Sequence, residues 1–335
     1  MNGLASERGI SAPTEKRVRE YAARRGYVPS RHALRVSVKA PRRETYGLLV
    51  ESHLCYSHLN EAFDLFSSRL GEYPDLMEIV VCRPEKIVEG LTEFAARRVG
   101  RFIHLGKIEN PPPVDQDAMR ALLPQFKRVV RYNYNFTGAV PPADVWQFPH
   151  VTRVGVNRRQ AYEALGRHLA ELGHHRVAIM SAARGETSTL IHAWLEAAGL
   201  EAMAARPPGL PGNVGVDKGR ELGSAAIRAM REDKVTAIHF GDDLEAAAAM
   251  RWMNGAGVRI PDDVSVTGFN GHIIASFLPT PLTTLAMPVE RMVEASIQAL
   301  FSDAPGGDRP FGMDLRVGAS SGPPPREAYR QDRRR

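Results

Sequence analysis

The stretch TAIHFGDDLEAAAAMRWMNGAGVRIPDDVSVTGFNG (236–271) decides the fold. TAIHFGDD (236–243) is a short apolar run with a polar end, and LEAAAAMRWMNGAG (244–257) is rich in helix formers and closes on glycine. DVSVTGFNG (263–271) is again short and β-branched. Strand, helix and strand in this order form the unit from which parallel sheets with helices on both faces are built.

The same alternation extends in both directions. Upstream lie the helices GRELGSAAIRAMRED (219–233), TSTLIHAWLEAAG (187–199) and RQAYEALGRHLAELG (159–173), with the strand HRVAIMSA (175–182) among them. The first half repeats the scheme with strands TYGLLVESH (45–53), LMEIVVC (76–82), RFIHLG (101–106) and KRVVRYNY (127–134). Its helices fall on EKIVEGLTEFAARR (85–98) and 117–126. Two sets of βα units predict an α/β protein with two doubly wound parallel-sheet lobes. Ligands of such sheets bind at the carboxyl ends of the strands, so the expected site is a cleft between the lobes. Two segments rich in Pro and turn residues, IENPPPVDQD (108–117) and TGAVPPADVWQFPHVT (137–152), interrupt the pattern, and the second lies near the expected passage between lobes.

Ahead of the first strand the character changes. SAPTEKRVREYAARRGY (11–27) reads as a capped helix, with Ser11 as N-cap, Pro13 in the first turn and Gly26 at its stop. Residues 1–43 hold eleven Lys/Arg against three Glu, and 326–335 hold five Arg against one Glu and one Asp. The whole chain carries +6, so residues 44–325 are mildly acidic, at about −5. A basic arm on an acidic body fits a polyanion partner, because each neutralised phosphate releases counterions; a solvated tail that aids solubility is the plainer alternative. GASSGPPPREAYRQDRRR (318–335) has no apolar period, and 321–335 is expected to be a disordered basic tail.

Several function classes are disfavoured. No run of eighteen apolar residues occurs, and charged residues stand where a secretory signal has its apolar stretch, so the expectation is a cytoplasmic protein with no membrane contact. Cys55 and Cys82 have no spacing for zinc or redox chemistry and read as incidental thiols. Adjacent His174 and His175 do not converge on one ion, and they read as a helix C-terminal turn where His favours the dipole's negative end. Asp242–Asp243 at a strand end could hold Mg²⁺, but there is no phosphate loop, no GxSxG elbow and no HExxH. Neither an enzyme, a metal site nor a cofactor is expected.

VGVNRRQAYEALGRHLAELGHHRVAIM (154–180), and IPDDVSVTGFN followed at fixed spacing by TPLTT (280–284), resemble the lactose/galactose repressor (LacI/GalR) family. ISAPTEKRVREYAARRGYVPS (10–30) is similar to the last helix of that family's DNA-binding headpiece and its run into the hinge. The resemblance covers roughly residues 10–320. It implies a periplasmic-binding-protein-like sensor preceded by a short, basic, helical headpiece remnant. The implied domains are 1–43 as partial headpiece and hinge, and 44–320 as the sensor. Within the sensor, lobe 1 is about 44–150 plus 281–303 and lobe 2 about 151–280 plus 311–320.

By the same resemblance the chain is a transcriptional regulator, a repressor whose sensor binds a small sugar-like effector and controls DNA binding. A sensor without specific DNA recognition is the alternative, because too few residues precede residue 10 for the family's helix-turn-helix. Either the frame continues upstream of Met1 or direct base reading is lost. The apolar wedge that family members place in the minor groove falls on Val36 or Leu34, beside the cations Arg31, Arg35 and Lys39. In the cleft, Asp242 stands at a position usually held by Asn, and Asn270 at one usually held by a hydroxyl-accepting Asp. Arg184 is one residue off a usual arginine; Asn133, Ser52 and His53 are weaker first-lobe candidates. Pairing of the family's sensors, and the crowding of Met250, Trp252 and Met253 on one helix, lead to the expectation of a homodimer.

Overall fold

The computed structural model describes residues 44–51, 57–73, 76–106, 113–136, 145–181, 186–208, 210 and 218–325, and in the N-terminal region Pro13, Lys16, Arg17, Glu20 and Tyr21. Those five are helical, within the helix expected over 11–27. Met1–Glu44 forms a unit of its own and Thr45–Arg335 a second.

The second unit is built on two six-stranded sheets. In chain order the first half runs β1 (Thr45–Glu51), α1 (Ser57–Gly71), β2 (Leu76–Cys82), α2 (Ile87–Ala96), β3 (Arg101–Leu105), α3 (Pro113–Leu122), β4 (Arg128–Phe136) and β5 (Val151–Asn157). The second half runs α4 (Arg158–Glu171), β6 (Arg176–Met180), α5 (Glu186–Glu196), β7 (Glu201–Ala204), α6 (Gly219–Glu232), β8 (Ala237–Phe240), α7 (Asp243–Gly255) and β9 (Ser265–Asn270). It closes with α8 (Ile274–Phe277), β10 (Thr283–Ala286), α9 (Val289–Phe301), β11 (Gly307–Gly312) and β12 (Asp314–Arg316).

The first sheet has the order β11-β5-β4-β3-β1-β2 and the second β12-β10-β9-β8-β6-β7. Every pairing is parallel except β10 with β12. Central strands are buried on both faces, which is why TYGLLVE and RFIHL carry almost no polar alternation. Leu48, Val50, Ile103 and Val130 face one side and Leu49, Phe102 and Val129 the other. Each such side chain contributes about 1.5–3 kcal/mol by leaving water.

The passages between lobes lie later than the sequence pattern suggests. β5 pairs with β4 in parallel, so Val151–Asn157 completes the first sheet and the chain crosses at Asn157/Arg158 rather than near 150. β10 pairs with β9, so the return crossing follows Ala286 rather than 280, and α9 then packs on β3, β4 and β5. β11 pairs with β5, and the third crossing falls between Gly312 and Asp314. Likeness along the chain shows that a strand exists; which sheet it joins is decided by hydrogen-bond partners far away in sequence.

The C-terminal tail also begins later than expected. Ser320 Oγ donates to Val266 O at 2.6 Å and accepts from Thr283 N at 2.8 Å, while Gly322 O accepts from Ser265 Oγ at 2.9 Å. Residues 321–325 are therefore part of the second lobe; 326–335 lie outside the described residues. Met250 and Met253 are buried in the second-lobe core among Leu222, Ala226, Phe240 and Val264, so they form interior packing and no surface. Trp252 is 41% exposed, with the Arg220 guanidinium 5.6 Å from its ring centre.

Candidate functional site

The second-lobe site forms where β8 and β9 end. Asp242 is the N-cap of α7: its Oδ1 accepts from Leu244 N at 2.8 Å, satisfying one of the free first-turn donors. Its other oxygen accepts from Asn270 Nδ2 at 2.8 Å. Asn270 sits at φ +100°, a left-handed conformation that asparagine tolerates better than most side chains. Both residues are buried. Burial pushes the Asp242 carboxyl up to about 6, against the opposing effect of its hydrogen bonds.

Asp243 lies deeper. Its Oδ1 accepts from Thr284 Oγ1 and its Oδ2 from His272 N, both at 2.6 Å, so it ties α7 to β10 and to the loop after β9. A side chain at Gly268 would run into this carboxylate, which is why the neighbouring strand carries glycine there. Burial pushes Asp243 up to about 7, and the nearby Asp242 charge adds to that. One turn on, buried Glu245 accepts from Arg206 at 2.8 and 2.9 Å, and Arg206 also donates to Met180 O at 3.2 Å. Both carboxylates of the Asp242–Asp243 pair are spent on protein donors. Among the described residues no group of three or more His, Cys, Asp or Glu could hold a metal ion.

In the first lobe, Asn133 occupies a bulge of β4, where the register with β5 shifts between Tyr132 and Tyr134, and it has φ +65°. The ends of β1, β3 and β4 also bury a polar layer absent from the sequence expectations. His104 Nε2 lies 3.0 Å from Glu51 Oε1, and its ring stacks on Trp146 at 5.0 Å. Arg131 donates to Gly106 O at 2.8 Å, with its guanidinium 5.6 Å from the Trp146 ring centre. Burial, then the Arg131 charge, hold His104 below its ordinary pKa, so it is neutral at pH 7. Asn135 Oδ1, near the end of β4, is buried without a hydrogen-bond partner among the described residues.

The structure therefore brings Asp242 and Asn270 together and places Asn133 at a bulge within the first-sheet strand β4. Arg184, Ser52 and His53 lie outside the described residues, as do Arg31, Leu34, Arg35, Val36 and Lys39. His174 is corrected. It is buried, not a cation at a helix end: its Nδ1 meets Thr236 Oγ1 at 2.8 Å and its Nε2 meets Ser265 Oγ at 3.0 Å and Gly322 O at 2.9 Å. Burial holds it down at about 4, so it stitches the C-terminal segment as a neutral ring.

Residues 167–320 match the model of a family described as periplasmic binding protein-like domain. An HTH-type transcriptional regulator from the aml 5′ region of Streptomyces limosus is 30% identical over 156 residues, 45% of this chain and 43% of that protein. The chain thus spans less than half of that relative. The HTH-type transcriptional repressor PurR of Aliivibrio salmonicida is 21% identical over 305 residues, covering 88% of this chain and 84% of the repressor. A LacI family transcriptional regulator from Enterococcus faecium, solved with bound ribose, superposes with a TM-score of 0.65 at 17% identity, over 84% of this chain and 99% of that one. At that identity the likeness speaks for the fold.

Two parallel sheets, three crossings and a strand-end polar site define a two-lobed, periplasmic-binding-protein-like sensor domain. The chain is similar to HTH-type transcriptional regulators and, in fold, to solved LacI family regulators. These relatives are described as HTH-type transcriptional regulators or repressors. Among the described residues no helix is long and apolar enough to cross a membrane.

Proposed function

We propose that the chain is a cytoplasmic, homodimeric repressor whose two lobes close on a small, sugar-like effector and thereby alter how its basic N-terminal arm holds DNA. The observation that carries the effector reading is the Asp242–Asn270 pair. Asn270 commits its amide donor to Asp242. Its Oδ1 has no partner among the described residues and is the atom left to accept a ligand hydroxyl. An asparagine held this way presents an acceptor, as the aspartate usual at this position would, and Asp242 acts on the ligand by orienting it. The regulator with bound ribose supports a sugar in the same kind of cleft.

The test is calorimetry against a panel beginning with ribose and continuing through common pentoses and hexoses. For the sugar that binds wild type, Asn270→Ala is expected to weaken affinity about fivefold to tenfold with the fold intact, the loss of one hydrogen bond of about 1 kcal/mol. Unchanged affinity would remove Asn270 from the site.

The DNA reading rests on the charge of residues 1–43. About five phosphate contacts per subunit would make log affinity fall with log salt at a slope of roughly −0.9 per contact. A titration at 50 and 200 mM salt checks this, and salt-independent binding contradicts it. The sensor-only alternative predicts no duplex binding at either concentration.

Homodimerisation finds new support in exposed apolar side chains. Ile273 and Phe277 are 69% and 78% exposed on one turn in the second lobe; Ile79 and Val81, on the edge strand β2, are 40% and 61% exposed. Monomeric surfaces seldom leave such side chains clustered in water. Light scattering is expected to report twice the 36.9 kDa chain mass, with Phe277→Glu shifting it toward one chain. A monomeric wild type at micromolar concentration sinks the dimer.

A further inference from the structure

We infer that Arg158 is an anion-binding residue of the cleft, and that the effector carries a carboxylate or phosphate beside its hydroxyls. This inference rests on the sensor reading above and narrows it to a ligand class.

Arg158 is the first residue past the crossing from β5 to α4. Its guanidinium lies 5.1 Å from the ring centre of Phe269, the residue preceding Asn270. That contact places a cation at the interlobe crossing, next to the strand end that holds the Asp242–Asn270 pair.

Three features single this arginine out. First, it has no ion pair and no side-chain hydrogen bond to a described residue, and its Nε is buried without a partner. A buried guanidinium N–H left unmade is costly, and the face of Phe269 stabilises the cation without satisfying its donors. Second, the nearby carboxylates are spent elsewhere: Asp242 on Leu244 N and Asn270, Asp243 on Thr284 and His272.

Third, the position is electrostatically wrong for a structural cation. α4 is fourteen residues long and has no acidic residue in its first turn; it opens instead with Arg158 and Arg159. Positive charge is disfavoured at a helix N-terminus, where anions are favoured. Arg159 escapes by pairing with Glu163 at 2.7 Å one turn on. Arg158 has no such neighbour among the described residues; Asn157 Oδ1 already caps the helix by accepting from Arg159 N at 3.1 Å, and a bound anion would satisfy the guanidinium and the first-turn N–H groups this cap leaves free.

One strand away, Asn135 supplies the complementary deficit. It pairs in register with Val156, two residues before Arg158, and its buried Oδ1 is an acceptor without a donor. An unmet acceptor and an unmet donor close to one crossing fit a ligand that brings both hydroxyl and anionic oxygen.

The experiment is thermal melting of the full chain at matched ionic strength in chloride, inorganic phosphate, glucose, glucose 6-phosphate and gluconate. Wild type, Arg158→Gln, Arg158→Lys and Arg159→Gln are compared after circular dichroism confirms the fold of each. Phosphate or an anionic sugar is expected to raise the wild-type melting temperature, with a midpoint concentration at least tenfold higher in Arg158→Gln. Arg158→Lys should fall between, and Arg159→Gln within twofold of wild type. A response to inorganic phosphate alone would assign the site to free phosphate; a further gain with glucose 6-phosphate or gluconate would assign it to a charged sugar. Equal anion responses in wild type and Arg158→Gln, or none in wild type, overturn the proposal. If a neutral pentose or hexose still stabilises wild type but not Asn270→Ala, the proposal falls and the sensor reading stands.

Discussion

Replacing Glu245 by alanine is expected to lower the stability of the protein by about 3–5 kcal/mol, the usual cost of removing one member of a buried ion pair. The Glu245 and Arg206 side chains are 3% and 9% exposed and meet at 2.8 and 2.9 Å in a two-pronged contact. The pair joins the segment leaving β7 to the first turn of α7, so its loss takes from the Arg206 guanidinium the carboxylate it holds at 2.8 and 2.9 Å. Replacing both partners, as Glu245→Met with Arg206→Leu, removes the charge and its desolvation cost together. The double variant should recover most of the stability lost by Glu245→Ala. Urea denaturation of wild type, Glu245→Met, Arg206→Leu and the double variant gives the coupling directly, with Glu245→Ala measured beside them. A Glu245→Ala loss under 1 kcal/mol would mean that water reaches the pair and screens it.

The fold was legible because buried parallel strands announce themselves as short apolar runs. IVVC, RFIHL and SVTGF fall where the sequence places strands, and α4, α6 and α7 start within a residue of their expected bounds. Lobe assignment was not legible. VTRVGVN has the same composition whether it pairs with β4 in the first sheet or opens the second, and only the register of Val154 with Tyr132 settles it. The helix SHLNEAFDLFSSRLG and the short strands β7, β11 and β12 also escape the pattern. EAMA is half exposed on a sheet edge, and GDRPFG alternates glycine and proline with charge, so neither carries the expected burial signature.

Site residues were legible where a polar group ends an apolar run. Asp242 follows β8 and Asn270 ends β9 in this way, which is why both stood out as candidates. Their hydrogen bond to each other was not foreseeable, since it joins positions 28 apart and depends on the left-handed turn at Asn270. Arg131 carried a visible signal, a cation inside the apolar strand RVVRY; Trp146, whose ring it faces, and Gly106, whose carbonyl it bonds, come from other parts of the chain. Arg158 was visible only as one of two adjacent arginines. What distinguishes it is that Arg159 has Glu163 within reach while Arg158 has no such partner among the described residues, a fact of geometry.

Asp243→Asn is expected to make the protein more stable than wild type above pH 7 and no more stable below pH 4. Asp243 has its carboxyl raised by burial from an ordinary 3.8 to about 7. Between those values the folded protein keeps a proton that the unfolded chain releases, so wild-type stability falls as pH rises from about 4 to about 7 and is level beyond. At 1.36 kcal/mol per unit, the three-unit gap sets an upper limit of about 4 kcal/mol on that fall. Asparagine carries no charge to desolvate. Its Oδ1 can still accept from His272 N, while its Nδ2 would face Thr284 Oγ1, which must turn its own proton away at a cost of about 1 kcal/mol. Below pH 4 that cost is all that remains and the variant is the weaker protein; above pH 7 it gains a net stabilisation of up to about 3 kcal/mol. Buried His239 and His174, held down at about 3 and 4, pull stability the other way in acid, but they are common to both proteins and cancel in the difference. Urea midpoints of wild type and variant at pH 4, 5, 6, 7 and 8 give that difference curve. A flat curve would mean that Asp243 is ionised throughout, its charge met by the Thr284 and His272 hydrogen bonds alone.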